Sequence, residues 1–307
     1  MRAVYEPFSE TICHRFYDNS GCTFCYFNGL ERCVSKTPLT IKDKINHFDQ
    51  WVEKSRLKIE KEKGILIASC GSFFPQQPAQ LREHIYEFID KNPHLDLAFE
   101  IRATMYNPER ARQEFEAISS KINVEMFMKE IEKGIKEISP KHIPFFGLEV
   151  ANNEDLKILN KGCLLQDYEY AANLIHDSGA RIGVNILINP PEIQYPIRKA
   201  LETARYAVEI LKTDEMHLFG CLPGKPSRAY DLWKAGKWNP STATEASEVS
   251  RQIREKYPPF PNYISIVRNQ WFTGRYGKYK LKNRKRTIEQ KQKDRNRIKN
   301  IAKEMNF

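Results

Sequence analysis

The sequence lacks long apolar runs and is poor in cysteine, and both features exclude broad classes of protein. No apolar stretch approaches the roughly 18 residues that a membrane-spanning helix needs, so we expect no membrane association. There are 7 cysteines in 307 residues, an odd number that argues against a disulfide framework. The opening MRAVYEPFSE is too short and too polar for a secretory leader. We therefore expect a globular, cytoplasmic protein.

Excess positive charge is absent from most of the chain. The net charge is +10, and the segment Thr273–Phe307 carries all of it, with 13 Lys and Arg against 3 Asp and Glu. A basic tail with Tyr276, Tyr279 and the nearby Trp271 is able to follow a phosphate backbone and to stack on bases. The alternative is a solvated helix from about Thr287 onward that contacts nothing.

What the sequence does contain is a group of three cysteines near its start. Cys13, Cys22 and Cys25 lie in ICHRFYDNSGCTFCYF with the spacing C-x8-C-x2-C. Three thiolates can hold three irons of a [4Fe–4S] cluster and leave the fourth iron open for chemistry. Two alternatives stay open at this point. The thiols are ordinary buried cysteines, or they bind zinc with His14 or Cys33 as the fourth ligand.

Strand-like apolar runs alternate with helix-like stretches, which is typical of βα units with a parallel sheet. The predicted strands are 64–70, 95–104, 143–150, 180–188 and 215–222. The predicted helices are 41–63, 78–90, 108–118, 124–138, one beginning at 154, 167–178, 195–211 and 243–256. We predict an α/β fold, a partial (βα)6 barrel of TIM type over residues 1–256, followed by a basic C-terminal extension over 257–307.

Small and polar residues occur where the predicted strands end. Gly71 and Ser72 follow the first of these strands, and Glu100, Glu149 and Asn185 lie near the ends of the next three. In (βα) barrels the chemistry collects at the carboxyl ends of the strands. A carboxylate inside a strand is costly to bury without a partner. Glu100 and Glu149 are therefore each part of a site, part of an internal salt bridge or exposed.

Taken together, these features resemble the radical S-adenosylmethionine superfamily. CysGlySerPhe (70–73) lies where that family has a glycine-rich segment, and FFGLEVANNEDLKILNKG (145–162) resembles its Gly-Leu-Glu plus Asn-Lys-Gly segment. The eight residues between the first two cysteines and the PheGluIleArg segment (99–102) resemble the branch that contains the catalytic subunit of Elongator.

A narrower family has a similar order of features, namely the radical S-adenosylmethionine subunit of archaeosine synthase, which acts on archaeal transfer RNA. The corresponding segments here are GlyCysThrPheCys (21–25), GlySerPhe (71–73), the 147–163 segment, LeuIleAsnProPro (187–191) and LeuTrpLysAlaGly (232–236).

The resemblance implies a site and its cofactors. Cys13, Cys22 and Cys25 would ligate a [4Fe–4S] cluster whose open iron binds S-adenosylmethionine. The implied contacts to S-adenosylmethionine are Gly71 and Ser72 at the methionine moiety, Glu149 at a hydroxyl or amine, Asn185 at the ribose or adenine, and Phe24 packed on the cluster or adenine.

The resemblance also implies a reaction and partners. The enzyme would be a carbon–nitrogen lyase that converts a lysine-modified 7-deazaguanine (preQ0-lysine) base of transfer RNA to archaeosine. Its partners would be transfer RNA, a lysine-transferring subunit and a reductant of ferredoxin or flavodoxin type. One alternative is a radical enzyme that acts on another nucleoside or on a small molecule. The other is a zinc-bearing RNA-binding module without radical chemistry.

Overall fold

Seven parallel strands, hydrogen-bonded in chain order, form the central sheet of the computed structural model. The structure describes residues 3–5, 22–24, 39–62, 64–67, 73–116, 124–221, 223–224, 227–258, 263–267 and 287–307, with the backbone alone at 75–76 and 263–267. The strands are β1 Ala3–Tyr5, β2 Gly64–Ile67, β3 Asp96–Ile101, β4 His142–Glu149, β5 Gly183–Leu187, β6 Glu215–Phe219 and β7 Tyr263–Val267. The predicted α/β partial (βα) barrel is confirmed, with β7 as a seventh strand beside β6.

Helices join successive strands and cover one face of the sheet.

None of the helices in the described ranges has the length and apolar character that a membrane span needs. The helices are α1 Ile41–Glu62, α2 Phe73–Gln76, α3 Ala79–Lys91, α4 Pro108–Glu116, α5 Val124–Lys136, α6 Asn153–Ile158, α7 Leu165–Asp177, α8 Pro196–Glu209, α9 Arg228–Lys234, α10 Ala243–Lys256 and α11 Ile288–Glu304.

The inward face of the sheet is the face opposite the helices. It carries an apolar layer that precedes the carboxyl ends of the strands. Successive strand residues point to opposite faces, and Ala98, Ile143 and Phe145 form a fully buried cluster there with Leu66 packed against it. A Cβ on Gly183 would lie 2.5 Å from the Phe145 ring, so glycine is required for that ring to fit. The burial of one such ring contributes on the order of 1.5–3 kcal/mol.

A buried arginine fastens three helices together on the other face. Arg82 of α3 is fully buried. It donates to Glu130 of α5 at 2.6 Å and to Glu137, just after α5, at 2.9 Å. It also donates to the carbonyl oxygens of Phe74 and Gln77. A buried charge is tolerated only when it is paired and hydrogen-bonded in this way.

Beyond residue 256 the chain continues to pack on the barrel. β7 pairs with β6, and α11 contacts α8 and α10 with Ile298 and Ala302 buried. Thr287 caps α11 by accepting from the Gln290 backbone N–H. The alternative that a helix from Thr287 contacts nothing is therefore wrong, because its apolar side is docked. The boundary between 256 and 257 stays a prediction.

Candidate functional site

A polar layer lies on the inward face at the carboxyl ends of the strands, above the apolar layer. Asn185 of β5 is in register with Gly147 of β4 and His217 of β6. Its amide nitrogen donates to Glu100 Oε1 of β3 at 3.3 Å. His217 stacks on Phe145 with the ring centroids 4.3 Å apart. Two of the predicted strand-end residues, Glu100 and Asn185, are thus brought together.

A β-bulge aims Glu149 into this layer. The register of β4 against β5 shifts between Gly147 and Glu149, so that one extra residue, Leu148, is accommodated. Bulges of this kind redirect the side chain that follows them. Glu149 has φ of 64°, in the left-handed region that is unfavourable for a residue with a Cβ. Such strain persists only where the surrounding contacts hold the residue in place.

The contact that holds Glu149 is a buried ion pair. Lys161 Nζ lies 2.9 Å from Glu149 Oε1, and the two side chains are 10% and 9% exposed. Asn160 and Gly162 both have positive φ, 50° and 69°, and form the turn that presents Lys161 after α6. Asparagine and glycine adopt that conformation most readily. The Gly-Leu-Glu and Asn-Lys-Gly segments are therefore in contact through this ion pair.

Gly147 leaves the space that this ion pair occupies. A Cβ on Gly147 would lie 2.6 Å from Lys161 Nζ and 2.7 Å from Glu149 Oε1. Both distances are shorter than any real contact, so a larger residue would displace the charged groups from each other. A side chain at position 147 is therefore accommodated only if the Lys161 and Glu149 side chains shift.

Cys22 and Phe24 lie beside the ion pair. The Thr23 backbone N–H donates to the Leu159 carbonyl at 3.0 Å, and the Ala229 N–H donates to the Thr23 carbonyl at 3.2 Å. These bonds fix residues 22–24 between the end of α6 and the start of α9. Lys161 Nζ lies 5.6 Å from the centroid of the Phe24 ring, a cation–π contact.

The charges of this cluster act on one another. Burial lowers the pKa of Lys161, but the Glu149 carboxylate raises it by more, and the net shift is upward. Lys161 is thus a permanent cation next to Cys22. Burial and, less, the Glu149 carboxylate raise the pKa of the Cys221 thiol, which keeps it protonated. Cys163 is also a buried thiol and accepts from Arg102 Nη2 at 3.2 Å. Both cysteines pack as buried thiols.

Glu100 has a carboxyl group that titrates near neutral pH. Burial raises the pKa of Glu100 to about 7, the Asn185 hydrogen bond opposes that rise, and the Glu149 carboxylate adds to it. At neutral pH the group is therefore close to half protonated. It is able to donate a hydrogen bond in one form and to accept in the other.

The raised pKa of Glu100 predicts a stability that falls with pH. Below about pH 4.5 the carboxyl is protonated in both the folded and the unfolded chain, and between there and about pH 7 only the unfolded chain ionises. Wild type loses this stability as the pH rises, and Glu100→Gln does not. We therefore expect the unfolding free energy of Glu100→Gln, minus that of wild type, to rise by about 3 kcal/mol between pH 4.5 and pH 8. Urea unfolding of the iron-free chain at several pH values measures this. A difference that does not change with pH would contradict it.

Several predicted site residues lie outside the described part of the chain. These are Cys13, Cys25, Gly71 and Ser72, together with His14 and Cys33 of the zinc alternative. Among the described residues, no group of three or more His, Cys, Asp and Glu side chains is placed to hold a metal ion. The cluster ligands and the contacts to S-adenosylmethionine stay predictions.

The residues that are described fit the predicted cofactor in one respect that is independent of the cysteines. Asn185 Oδ1 is buried and accepts no hydrogen bond from the described residues. A buried acceptor without a donor costs free energy. A ribose hydroxyl or an adenine amine would supply the donor. Asn185 was predicted as a contact to those groups, and its unfilled acceptor points to the same role.

Sequence reasoning missed Lys161, which the fold places at the centre of the cluster. It also did not foresee that the Glu149 carboxylate is already paired. The available signal was the Asn-Lys-Gly segment, since a lysine between two residues that favour left-handed backbone is held in a tight turn. Asn152 lies in the same stretch and has a structural role, because its side chain caps α6 by accepting from the Asp155 N–H.

No protein-family model matches the chain. In sequence it is 23% identical over 123 residues to tRNA uridine(34) acetyltransferase of Methanocaldococcus jannaschii, which covers 40% of this chain and 23% of that protein. It is 23% identical over 252 residues to archaeosine synthase subunit beta of Methanosarcina acetivorans, which covers 78% of this chain and 64% of that subunit. The matches span less than two thirds of either relative.

Similar solved structures include Elp3 of Methanocaldococcus infernus, with TM-score 0.47 and 17% identity over 73% of this chain and 52% of that one. They also include TsrM of Kitasatospora setae, a radical S-adenosylmethionine methyltransferase solved with cobalamin and a [4Fe–4S] cluster. Its TM-score is 0.40 at 14% identity, over 76% of this chain and 39% of that one. The sequence similarity to archaeosine synthase subunit beta agrees with the resemblance that the motifs indicate.

Proposed function

We propose that this chain is a radical S-adenosylmethionine enzyme that modifies transfer RNA. The observation that carries the proposal is the position of Cys22. Backbone hydrogen bonds of the adjacent Thr23 hold this segment at the carboxyl edge of a parallel sheet, beside the cluster formed by Glu100, Glu149, Lys161 and Asn185. That edge is where (βα) barrels perform their chemistry.

The cofactors would be a [4Fe–4S] cluster held by Cys13, Cys22 and Cys25, and S-adenosylmethionine. When bound, the cluster would supply the electron that cleaves S-adenosylmethionine and generates a 5′-deoxyadenosyl radical. Electrons would come from a reductant of ferredoxin or flavodoxin type. The protein's contribution is position and the exclusion of competing reactions.

The described side chains would bind and orient S-adenosylmethionine. Asn185 Oδ1 would accept from the ribose or adenine, and Phe24 would pack on the cofactor and limit water. Glu149 would accept from a hydroxyl or an amine through the oxygen that does not contact Lys161. Lys161 would hold that carboxylate in position. Gly71 and Ser72 would approach the methionine moiety.

The reaction we propose is the lyase step of archaeosine formation. The substrate would be a transfer RNA base carrying a lysine adduct on 7-deazaguanine. Abstraction of a hydrogen atom from the lysine carbon next to the one bonded to nitrogen would let that carbon–nitrogen bond break. The amino-acid fragment would leave as an alkene, and one electron from the reductant and one proton would convert the nitrogen-centred radical on the base to the amidine of archaeosine. The similarity to archaeosine synthase subunit beta supports this choice. A second subunit that transfers lysine would prepare the substrate. Since abstraction requires the target carbon close to the radical source, positioning dominates the rate.

A substrate comparison tests the reaction class. The reduced, reconstituted chain is incubated with S-adenosylmethionine and with a transfer RNA that carries the lysine adduct or the same transfer RNA without it. We expect archaeosine to appear only with the adduct, together with an equal amount of 5′-deoxyadenosine, as measured by mass spectrometry of the nucleosides. Release of 5′-deoxyadenosine with an unchanged adduct would contradict the lyase step and favour another nucleoside or a small molecule.

A further inference from the structure

Helix α11 extends past the edge of the barrel where the proposed site lies. Arg297 pairs with Glu245 in the first turn of α10, and Lys256 at the end of α10 donates to the Asn306 carbonyl, so the two helices run parallel. α10 begins at the carboxyl edge, because it leads from β6 into the parallel strand β7. The ten helical residues from Ile288 to Arg297 therefore project about 15 Å beyond that edge.

One side of α11 carries a line of positive charge, here called the basic stripe. Its members are spaced four residues apart and lie on neighbouring turns of one side of the helix. Lys291, Arg295, Lys299 and Lys303 are all exposed. Within the part of the chain that the structure describes, none of the four forms an ion pair. The stripe covers about 18 Å of helix and leaves its charge available to a polyanion.

A cleft with an exposed aromatic residue opens beside α11. It has a volume of about 460 Å³ and lies between the start of α8 and the second half of α11, with Asn189 of the loop after β5 in its lining. Tyr195 forms one wall and is 73% exposed. Its φ of 53° is unfavourable for a bulky residue, and Pro196 follows directly as the first residue of α8. This backbone places Tyr195 at the rim of the cleft.

The charges within the cleft are already matched. Arg198 pairs with Glu304 at 3.3 Å, and Arg297 pairs with Glu245. A nearly neutral cleft with an aromatic wall suits an uncharged planar ring more than a phosphate. The free charge lies outside it, on the basic stripe. This separation of a stacking surface from a phosphate-binding surface is typical of single-stranded nucleic-acid recognition.

We propose that Tyr195 and the basic stripe form a contact surface for the RNA substrate. The stripe neutralises successive phosphates, and one unpaired base stacks on Tyr195 in the cleft. The inference rests on the proposed action on transfer RNA and adds the residues that recognise it. An acidic protein is the competing occupant of the stripe, but it has no need of an exposed aromatic ring beside a neutral cleft.

Binding of an unmodified transfer RNA transcript to the full chain, measured from 50 to 200 mM salt without S-adenosylmethionine, tests the stripe. The variant carries K291Q, R295Q, K299Q and K303Q. The control carries K42Q, K54Q, K58Q and K61Q, which remove the same charge from exposed positions on α1. We expect the stripe variant to bind roughly tenfold or more weakly at 50 mM salt. Its salt slope should be lower by about 0.7–0.9 for each phosphate that the variant no longer neutralises. Equal affinity and slope in the two variants would overturn the proposal.

Tyr195 is tested with the same transcript. Tyr195→Ala is expected to weaken binding roughly 5- to 150-fold with little change in the salt slope, since the variant cannot stack a base but still neutralises the same phosphates. Tyr195→Phe should bind like wild type. The control is Tyr170→Ala, another exposed tyrosine, on α7. Unchanged binding by Tyr195→Ala would overturn the stacking role. Unchanged binding of the transcript by the stripe variant would leave an acidic protein as the occupant of the stripe.

These outcomes are separate from those of the proposed function. The binding measurement needs neither the cluster nor S-adenosylmethionine. Formation of 5′-deoxyadenosine without RNA is expected to be unchanged in the stripe and Tyr195 variants. Failure of the wild-type chain to form 5′-deoxyadenosine would contradict the radical chemistry and leave the RNA-binding result standing.

Discussion

Lys161→Met is expected to lower the free energy of unfolding by about 3–5 kcal/mol. This is one of the two largest effects that the structure predicts. Methionine is similar in length and leaves no cavity of note. Its cost arises because Glu149 then stays buried, without its cation and with a left-handed backbone. Denaturant unfolding of the iron-free chain at neutral pH measures the loss.

The double variant separates the ion pair from the packing. Adding Glu149→Gln to Lys161→Met removes the uncompensated charge, so the double variant should be more stable than Lys161→Met alone. Lys133→Met is the matched control, because the pair of Lys133 with Glu83 is about half exposed. It should cost no more than about 1 kcal/mol. Equal stability of Lys161→Met and Lys133→Met would show that the buried pair does not hold the site together.

Cys22→Ala is expected to abolish iron binding and the formation of 5′-deoxyadenosine, down to the background without protein. The reason is that three thiolates are needed for three irons, and a cluster with one ligand missing is not retained. Iron and sulfide are measured after anaerobic reconstitution, and 5′-deoxyadenosine is measured by chromatography.

The matched control is a second cysteine in the same part of the barrel. Cys221 is buried, free and influenced by the Glu149 carboxylate, but it has no ligand role in our account. Cys221→Ala should retain the cluster and its activity. If Cys221→Ala loses iron as Cys22→Ala does, Cys221 is a ligand and the assignment of the three N-terminal cysteines is wrong.

The sequence predicted most of the barrel because long periodic segments carry strong local signals. The helix predicted over 243–256 is α10, and the helix predicted over 41–63 ends one residue earlier, at Glu62. β1 was too short to recognise, since three residues show no period. β7 fell in the predicted C-terminal extension, and only its pairing with β6 reveals it as part of the sheet.

The sequence predicted several residues of the candidate site but not the contacts between them. Glu149 and Asn185 were recognised as strand-end residues, and both lie in the polar layer. The pairing of Glu149 with Lys161 depends on a bulge and on two left-handed residues, which amino-acid spacing does not specify. The docking of α11 was missed for a similar reason. Its buried Ile298 and Ala302 are sparse among charged residues, and only the tertiary contacts show where they pack.

The measurement that tests the central claim most directly is anaerobic reconstitution of the wild-type chain with iron and sulfide. Dithionite and S-adenosylmethionine are then added, and 5′-deoxyadenosine is quantified. Our account predicts iron–sulfur absorbance, about four irons per chain, and 5′-deoxyadenosine that depends on both reductant and S-adenosylmethionine. Stoichiometric zinc, no iron–sulfur absorbance and no 5′-deoxyadenosine would contradict it and would favour a zinc-bearing RNA-binding module.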